Sequence, residues 1–166
     1  MVKVKGLPAE PIVVEADAVE RAALAARFGL ASVESLRAEV SLEQRPRAIR
    51  ASGRLSAAFM QCCAISGEDF PVTVDEPIDL RFAEAGAAEA VELEELELEA
   101  DDCDEIDYAG DAFDLGEAIA QTLGLAIDPY AEGPEADAAR KREGISREGE
   151  EEGPLAEMLK GLAKGQ

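Results

Sequence analysis

The chain has 166 residues, a formal net charge of −21 and no histidine. The lack of histidine excludes Ser-His-Asp and Cys-His hydrolases and any zinc site that uses imidazole. No apolar run is long enough to span a bilayer, and the N-terminus lacks the apolar stretch that a signal peptide needs. Three cysteines, two of them adjacent, do not make a disulfide framework. We therefore expect a reduced, cytoplasmic protein with no membrane partner.

The negative charge is concentrated in the middle of the chain. Residues 61–132 carry 22 acidic residues and one basic residue, whereas residues 1–60 carry nine basic and seven acidic residues. Such a segment repels nucleic acid and attracts a basic protein, although acidic residues also simply keep a surface solvated. A smaller basic group lies upstream and either contacts RNA or offsets nearby acidic strands: Arg37, Arg45, Arg47, Arg50 and Arg54.

The N-terminal part of the chain predicts a short strand followed by a helix. Residues 10–15 favour the strand, and residues 17–28 have helical periodicity. Asp17 and Glu20 have the spacing of a capping box at the start of the helix, and Gly29 is placed to end it. The predicted apolar face of this helix is Val19, Ala22, Ala23 and Ala26.

Three further segments are predicted to be strands. Residues 32–43 and 70–82 alternate polar and apolar side chains with a period of two, which is typical of half-buried strands. Residues 45–63 form a strand region between them, in which Gly53 predicts a bulge or a bend. Pro77 predicts that the last of the three is an edge strand or is locally broken, because proline cannot donate a ladder hydrogen bond.

Residues 91–108 contain ten acidic residues and no basic one. The apolar residues on either side of Glu94 and Glu95 differ in phase, which predicts a bulge there or a helical turn that competes with the strand. The acids lack the spacing of a calcium loop, so we interpret the run as a solvated acidic face rather than a cation site.

A second amphipathic helix is predicted from Leu115 to near Gly124. Asp111 or Asp114 is placed to cap its N-terminus, because a short acidic side chain accepts hydrogen bonds from the first N–H groups of a helix. The helix pattern is followed by Asp128-Pro129, which closes it off.

The C-terminal part divides into two segments. Residues 132–153 contain one large apolar residue and are predicted to be a disordered linker. Residues 154–166 predict a short amphipathic helix, which is marginal in isolation and orders only against this domain or against a partner. Its apolar stripe consists of Leu155, Met158, Leu159 and Leu162.

The stretch QCCAISGEDF, residues 61–70, raises the question of a thiol site. Cys62, Cys63 and the distant Cys103 supply at most three thiolates, whereas structural zinc takes four ligands and the chain has no Cys-x-x-Cys. We therefore predict no metal and no cofactor. The adjacent pair is interpreted as one buried and one exposed thiol at the end of a strand, before a turn at Gly67.

Four pieces of sequence, in this order and spacing, resemble the YceD family, the large ribosomal RNA subunit accumulation proteins, in its alphaproteobacterial form. The pieces are EADAVERAALAARFGLASVESL, GRLSAAFMQCCAISGEDFPVTVDEPIDLRF, DLGEAIAQTLGLAIDPY and GPLAEMLKGLAKG. The resemblance implies a role in the synthesis, processing or stability of large-subunit (23S) ribosomal RNA and implies no enzyme activity. It singles out as family-motif and partner-binding candidates Gln61, Cys62, Asp114, Leu115, Gly116, Glu117, Asp128, Pro129 and Tyr130.

This chain departs from the family pattern in one place that bears on partners. The Asp-Pro-Tyr block is commonly followed by Pro-Arg, whereas Ala131 and Glu132 follow it here. The departure removes a cation at the exit of the helix.

We expect an α+β fold in which four to six mostly antiparallel strands carry two helices, in the order β-α-β-β-β-β-α. The expected organisation is a domain over 1–131, the linker over 132–153 and the short helix over 154–166. The expected function is non-catalytic, through a basic ribosomal or assembly protein bound by the acidic segment. The alternatives are direct RNA binding by the five arginines and a metal-dependent enzyme built on carboxylates.

Overall fold

A five-stranded sheet organises the fold. The structure, a computed structural model, describes residues 1–46, 48–85 and 104–145. The strands are β1 (Val2–Lys3), β2 (Ile12–Glu15), β3 (Ser32–Arg45), β4 (Ala48–Cys62), β5 (Asp69–Glu84), β6 (Asp104–Tyr108) and β7 (Ala112–Phe113), and the helices are α1 (Ala18–Phe28), α2 (Leu115–Ala126) and α3 (Ala136–Glu143). The order in the main sheet is β2-β3-β4-β5-β6, and β1 pairs with β7 in a second, two-stranded sheet. Only the β5–β6 pair of the main sheet is parallel, so the predicted α+β class with a mostly antiparallel sheet is confirmed.

The core lies on one face of this sheet. Alternate side chains of β3, β4 and β5 point to opposite faces, so the period of two in the sequence separates an apolar face from a polar one. Helix α2 packs on the apolar face, where Leu123 is fully buried and the rings of Phe82 and Phe113 lie 4.3 Å apart. Each such side chain contributes about 1.5–3 kcal/mol when it is fully buried. The sheet residues of the core include Leu36, Val40, Ile49, Leu55, Phe59, Ile78 and Leu80.

Strand β5 lies at the edge of the described sheet over most of its length. It pairs with β4 from end to end, but β6 covers it only from Leu80 to Glu84. Among the described residues, Pro77 therefore faces one neighbouring strand, as its missing N–H predicted.

Helix α1 begins and ends where the sequence predicted, but it buries a different face. Asp17 accepts the N–H groups of Val19 and Glu20, and the Glu20 carboxylate accepts the N–H of Asp17, which completes the capping box. The predicted apolar face is wrong: Val19 is 78% exposed, and the alanines of that face are exposed as well. The core side is formed by Leu24, Ala25 and Phe28. In an alanine-rich helix, the single Phe decides which face packs, because it buries the largest apolar area.

Helix α2 starts at the predicted cap and runs past its predicted end. Asp114 accepts the N–H of Glu117 at 3.0 Å and is the N-cap. The helix continues through Gly124 to Ala126, because Gly124 packs inside it rather than ending it. A Cβ at Gly124 would lie 2.8 Å from a ring carbon of Phe28, so the missing side chain lets α1 and α2 approach closely.

Residues 136–143 form α3, and the prediction of a disordered linker is wrong for them. Composition did not indicate this helix, because the residues that it buries are small alanines. Ala136 is 4% exposed and Ala139 is 2% exposed. Its Arg140 forms an ion pair with Glu132, just upstream. Residues 146–166, with the predicted C-terminal helix, lie outside the described residues, as do the predicted bulge at Glu94–Glu95 and Cys103.

Gly53 does not mark a bulge or a bend. It pairs in register with Val40 of β3 and with Ile78 of β5. A Cβ at Gly53 would lie 2.0 Å from the carbonyl oxygen of Glu39, so the glycine permits a close approach of two strands. The irregularity of the β3–β4 pair lies elsewhere, between Val33 and Ser35.

None of the helices in the described residues is long and apolar enough to cross a membrane.

Candidate interaction surface

A buried thiol joins the turn after β4 to the segment after α2. The Cys63 sulfur accepts three backbone N–H groups, from Gly133 at 3.2 Å, Ser66 at 3.3 Å and Ile65 at 3.4 Å. Gly133 packs tightly here, since a Cβ on it would lie 2.8 Å from the ring of Phe70. Cys63 is 2% exposed and Cys62 is exposed, which confirms the prediction of one buried and one exposed thiol.

These donors favour the thiolate form of Cys63. The Ser66 hydroxyl and the Ser66 N–H, followed by the N–H groups of Gly133 and Ile65, hold the pKa of Cys63 down to about 7, against the opposing effect of burial. Sulfur that carries charge accepts hydrogen bonds more strongly than a neutral thiol. The hydrogen bond from the Gly133 N–H therefore ties residue 133 to the turn more firmly when the thiol is ionised.

The stability of the protein should rise with pH because of this group. The pKa of Cys63 is about 7 in the folded protein, below its ordinary value of 9.0, so its contribution is complete above the ordinary value and is lost as the pH falls through 7. We expect the free energy of unfolding of the wild type, minus that of Cys63→Ala, to increase between pH 6 and pH 9. Urea unfolding at several pH values measures this difference. Cys62→Ala, which removes the exposed neighbouring thiol and keeps Cys63, is the matched control.

A second contact pins the loop between α2 and α3. The Gln61 side chain, 6% exposed, donates from Nε2 to the carbonyl oxygen of Asp128. The Asp128 carboxylate accepts the N–H of Tyr130 at 2.8 Å, and the N–H of Ala64 donates to the carbonyl of Ala131 at 3.1 Å. The loop 128–133 is therefore held by hydrogen bonds along its length, together with the contact of Cys63 described above.

This pinned loop presents large apolar side chains to solvent. Tyr130 is 80% exposed, and Leu125, in the last turn of α2, is 81% exposed. Pro129 between them is also exposed. An exposed aromatic ring on an ordered backbone is a feature of protein interfaces, because it binds with little loss of conformational entropy. We call Leu125, Pro129 and Tyr130 the loop surface.

The second group of family-motif candidates has structural roles at the other end of α2. Asp114 caps the helix, Leu115 is 2% exposed in the core, and Gly116 occupies the first turn. Glu117 forms a two-pronged ion pair with Arg27 of α1, at 2.7 and 2.8 Å. Arg27, followed by Gln121, lowers the pKa of Glu117 to about 2. The structure thus separates this group from the loop surface by the length of α2, about 18 Å.

The predicted RNA-contact arginines lie among acidic partners. Four of them form ion pairs with carboxylates: Arg37 with Glu15, Arg45 with Glu43, Arg50 with Asp79, and Arg54 with Asp75. Arg37, Arg50 and Arg54 project from the polar face of the sheet, each toward a neighbouring strand. Arg47 lies outside the described residues. The structure thus favours the interpretation that these arginines offset acidic strands.

The remaining candidates fall into two groups. The tail-docking residues Leu155, Met158, Leu159 and Leu162 lie outside the described residues. Cys62, named from the family pattern, makes only a long contact of 3.8 Å from its sulfur to the carbonyl of Cys63. The described residues contain no group of three or more side chains that could hold a metal ion.

Sequence reasoning missed three residues of this region. Cys63, rather than Cys62, anchors the turn, and the hydrophobic exposure of Leu125 follows from its position beyond the buried stripe of α2. Gly133 gave no signal in the sequence, since a glycine within a predicted linker does not indicate close packing.

The comparisons with known proteins identify a family. A family model described as large ribosomal RNA subunit accumulation protein YceD matches residues 51–161. The match begins within β4 and includes the thiol turn, α2 and the loop surface. No curated protein and no solved structure matches the chain.

Proposed function

Because the chain belongs to the YceD family, which is named for accumulation of the large ribosomal RNA subunit, we propose that it is a non-catalytic factor in the synthesis, processing or stability of large-subunit ribosomal RNA. It acts by binding a basic ribosomal or assembly protein. The observation that carries this proposal is the loop surface, in which Leu125 and Tyr130 are both about four-fifths exposed on a backbone pinned by Gln61 and Cys63.

The charge of the chain supports a basic partner. The net charge is −21, and residues 61–132 hold 22 of the acidic residues. A basic protein is steered toward such a surface by the long-range field, and the apolar side chains of the loop surface then supply short-range contact area. Ribosomal proteins that bind RNA carry the positive charge that this field attracts.

The ion pairs of the sheet argue against direct RNA binding as the main activity. An arginine that already contacts a carboxylate must break that pair, or carry the carboxylate with it, to neutralise a phosphate. Four of the five arginines named from the sequence are in this position. We therefore keep RNA contact as an indirect consequence of the bound protein.

Affinity capture tests the proposal. Tagged wild-type chain, incubated at low salt with a bacterial lysate, should retain a basic ribosomal protein or a precursor of the large subunit. The double variant Leu125→Ala/Tyr130→Ala should retain at least about tenfold less, because loss of two interface side chains commonly costs more than 1.4 kcal/mol. Val13→Ala is the matched control, since Val13 is 47% exposed on β2, away from the loop.

Two results would contradict the proposal. The first is capture of no ribosomal component by the wild type. The second is capture that nuclease treatment abolishes and that the double variant retains, which would instead support direct RNA binding. The unfolding midpoint of each variant, measured alongside, confirms that the fold is intact.

A further inference from the structure

Helix α1 and the first residues of β3 border an open groove that is lined mainly by alanines. The groove has a volume of about 440 Å³. Seven apolar side chains line it, with Arg21 and Ser32: Ala18, Ala22, Ala25, Ala26, Leu30, Ala31 and Val33. Ala18, Ala22, Ala26 and Ala31 are exposed. Because Leu30 and Val33 are buried, the side chains that the groove exposes are mainly alanines. Such small side chains leave room for a second helix to pack closely against α1.

The described chain ends at the same end of the sheet as this groove. Ala31, which lines the groove, donates its N–H to the carbonyl of Met60 at 3.0 Å. Three residues after Met60, Cys63 holds Gly133, and α3 follows directly. Helix α3 extends about 12 Å, so the chain leaves the described region near this end of the sheet.

The C-terminal segment is long enough and apolar enough to fill the groove. Residues 146–153 reach up to about 28 Å when extended, which is more than the width of a small sheet. The next residues carry the stripe Leu155, Met158, Leu159 and Leu162. A surface of alanines lets a second helix approach closely, so that leucine side chains of the one lie between the small side chains of the other.

The charges agree with this pairing. The Arg21 guanidinium at the groove donates to the carbonyl of Ala16 at 2.9 Å and forms no salt bridge within the described residues. Four glutamates precede the apolar stripe of the C-terminal segment, in residues 148–152. A carboxylate beside the occupant would meet an arginine at the groove.

We propose that residues 154–163 dock as a helix in the groove formed by α1 and the start of β3, within the same molecule. Leu155, Met158, Leu159 and Leu162 face the alanines of α1. The docked segment covers the apolar face that α1 leaves exposed.

Hydrogen exchange of the full-length chain tests this inference. Amide protons of residues 155–163 should exchange at least about tenfold more slowly than those of an unstructured peptide. Ala22→Glu places a charge in the groove and should remove this protection. Ala23→Glu is the matched control, because Ala23 is also exposed on α1 but does not line the groove. Both sites are solvent-exposed helix positions that tolerate glutamate, so both variants should fold.

Three results would overturn the inference: exchange of residues 155–163 at the unstructured rate, equal protection in the two variants, and protection that grows with protein concentration. The last would assign the groove to a second copy of the chain. The experiment uses the isolated protein and needs no ribosomal component. Its outcome is therefore independent of the affinity capture described above.

Discussion

Replacing Gly53 with alanine is expected to lower the free energy of unfolding by about 3 kcal/mol, because a clash with backbone atoms cannot be relieved by rotating a side chain. The Cβ would lie 2.0 Å from the Glu39 carbonyl oxygen and 2.9 Å from the Cα of Val40. Strands β3 and β4 would have to separate at the centre of the sheet, where Val40 is fully buried. Urea unfolding followed by circular dichroism measures the change.

Gly116→Ala is the control for this prediction. The nearest atom to a Cβ at Gly116 is the carboxylate oxygen of Asp114 at 3.4 Å, an ordinary contact. Alanine is favoured over glycine in a helix, although by less in the first turn than in the interior, so this variant should be as stable as the wild type or more so. Equal destabilisation of the two variants would show that β3 and β4 do not approach at Gly53 as the structure describes.

Replacing Gln61 with glutamate is expected to destabilise the protein by about 3 kcal/mol at pH 7, because a carboxylate would be buried without a cation. Gln61 is 6% exposed, its Nε2 binds the Asp128 carbonyl, and its Oε1 has no hydrogen-bond partner in the described structure. Burial raises the pKa of the new carboxyl above its ordinary value of about 4.3. The penalty is therefore absent below that value and grows as the pH rises through the raised pKa.

Gln61→Met distinguishes charge from shape at this position. Methionine has a similar length, loses the hydrogen bond to Asp128, and removes the unpartnered Oε1. These two effects oppose each other, so the change in unfolding free energy should stay within about 1 kcal/mol and should not depend on pH. A glutamate variant that behaves like the methionine variant at every pH would mean that residue 61 is solvated rather than buried against the loop.

The sheet and its helices could be predicted from the sequence wherever one side chain type dominates a periodic pattern. The alternation in β3 and β5 and the capping box at Asp17 gave strands and a helix in the right places. The face of α1 could not be predicted, because its alanines leave two faces nearly equal in hydrophobicity. Tertiary packing of Phe28 against Gly124 decides between them.

Short and small-residue elements escaped prediction for related reasons. Strands β1, β6 and β7 have two to five residues, too few to show a period. Helix α3 is polar except for its alanines, two of which are buried, and it follows the Gly133 that Cys63 holds. Of the candidate site, the family pattern located Gln61 and the Asp128–Tyr130 block. The hydrogen bond between Gln61 and Asp128 joins residues that are far apart in the sequence, and local sequence patterns do not predict such a contact.

Of the two neighbouring cysteines, Cys63 has the lowered pKa, whereas Cys62 is the one exposed to solvent. A thiol that is ionised near neutral pH ordinarily reacts first with an alkylating reagent. Cys63 has a pKa of about 7 but is only 2% exposed, whereas its neighbour Cys62 is exposed. Alkylation of Cys63 must therefore wait until the turn and Gly133 separate. Once Cys62 and Cys103 are replaced by serine, the alkylation rate of this chain measures how often the segment that carries the loop surface opens.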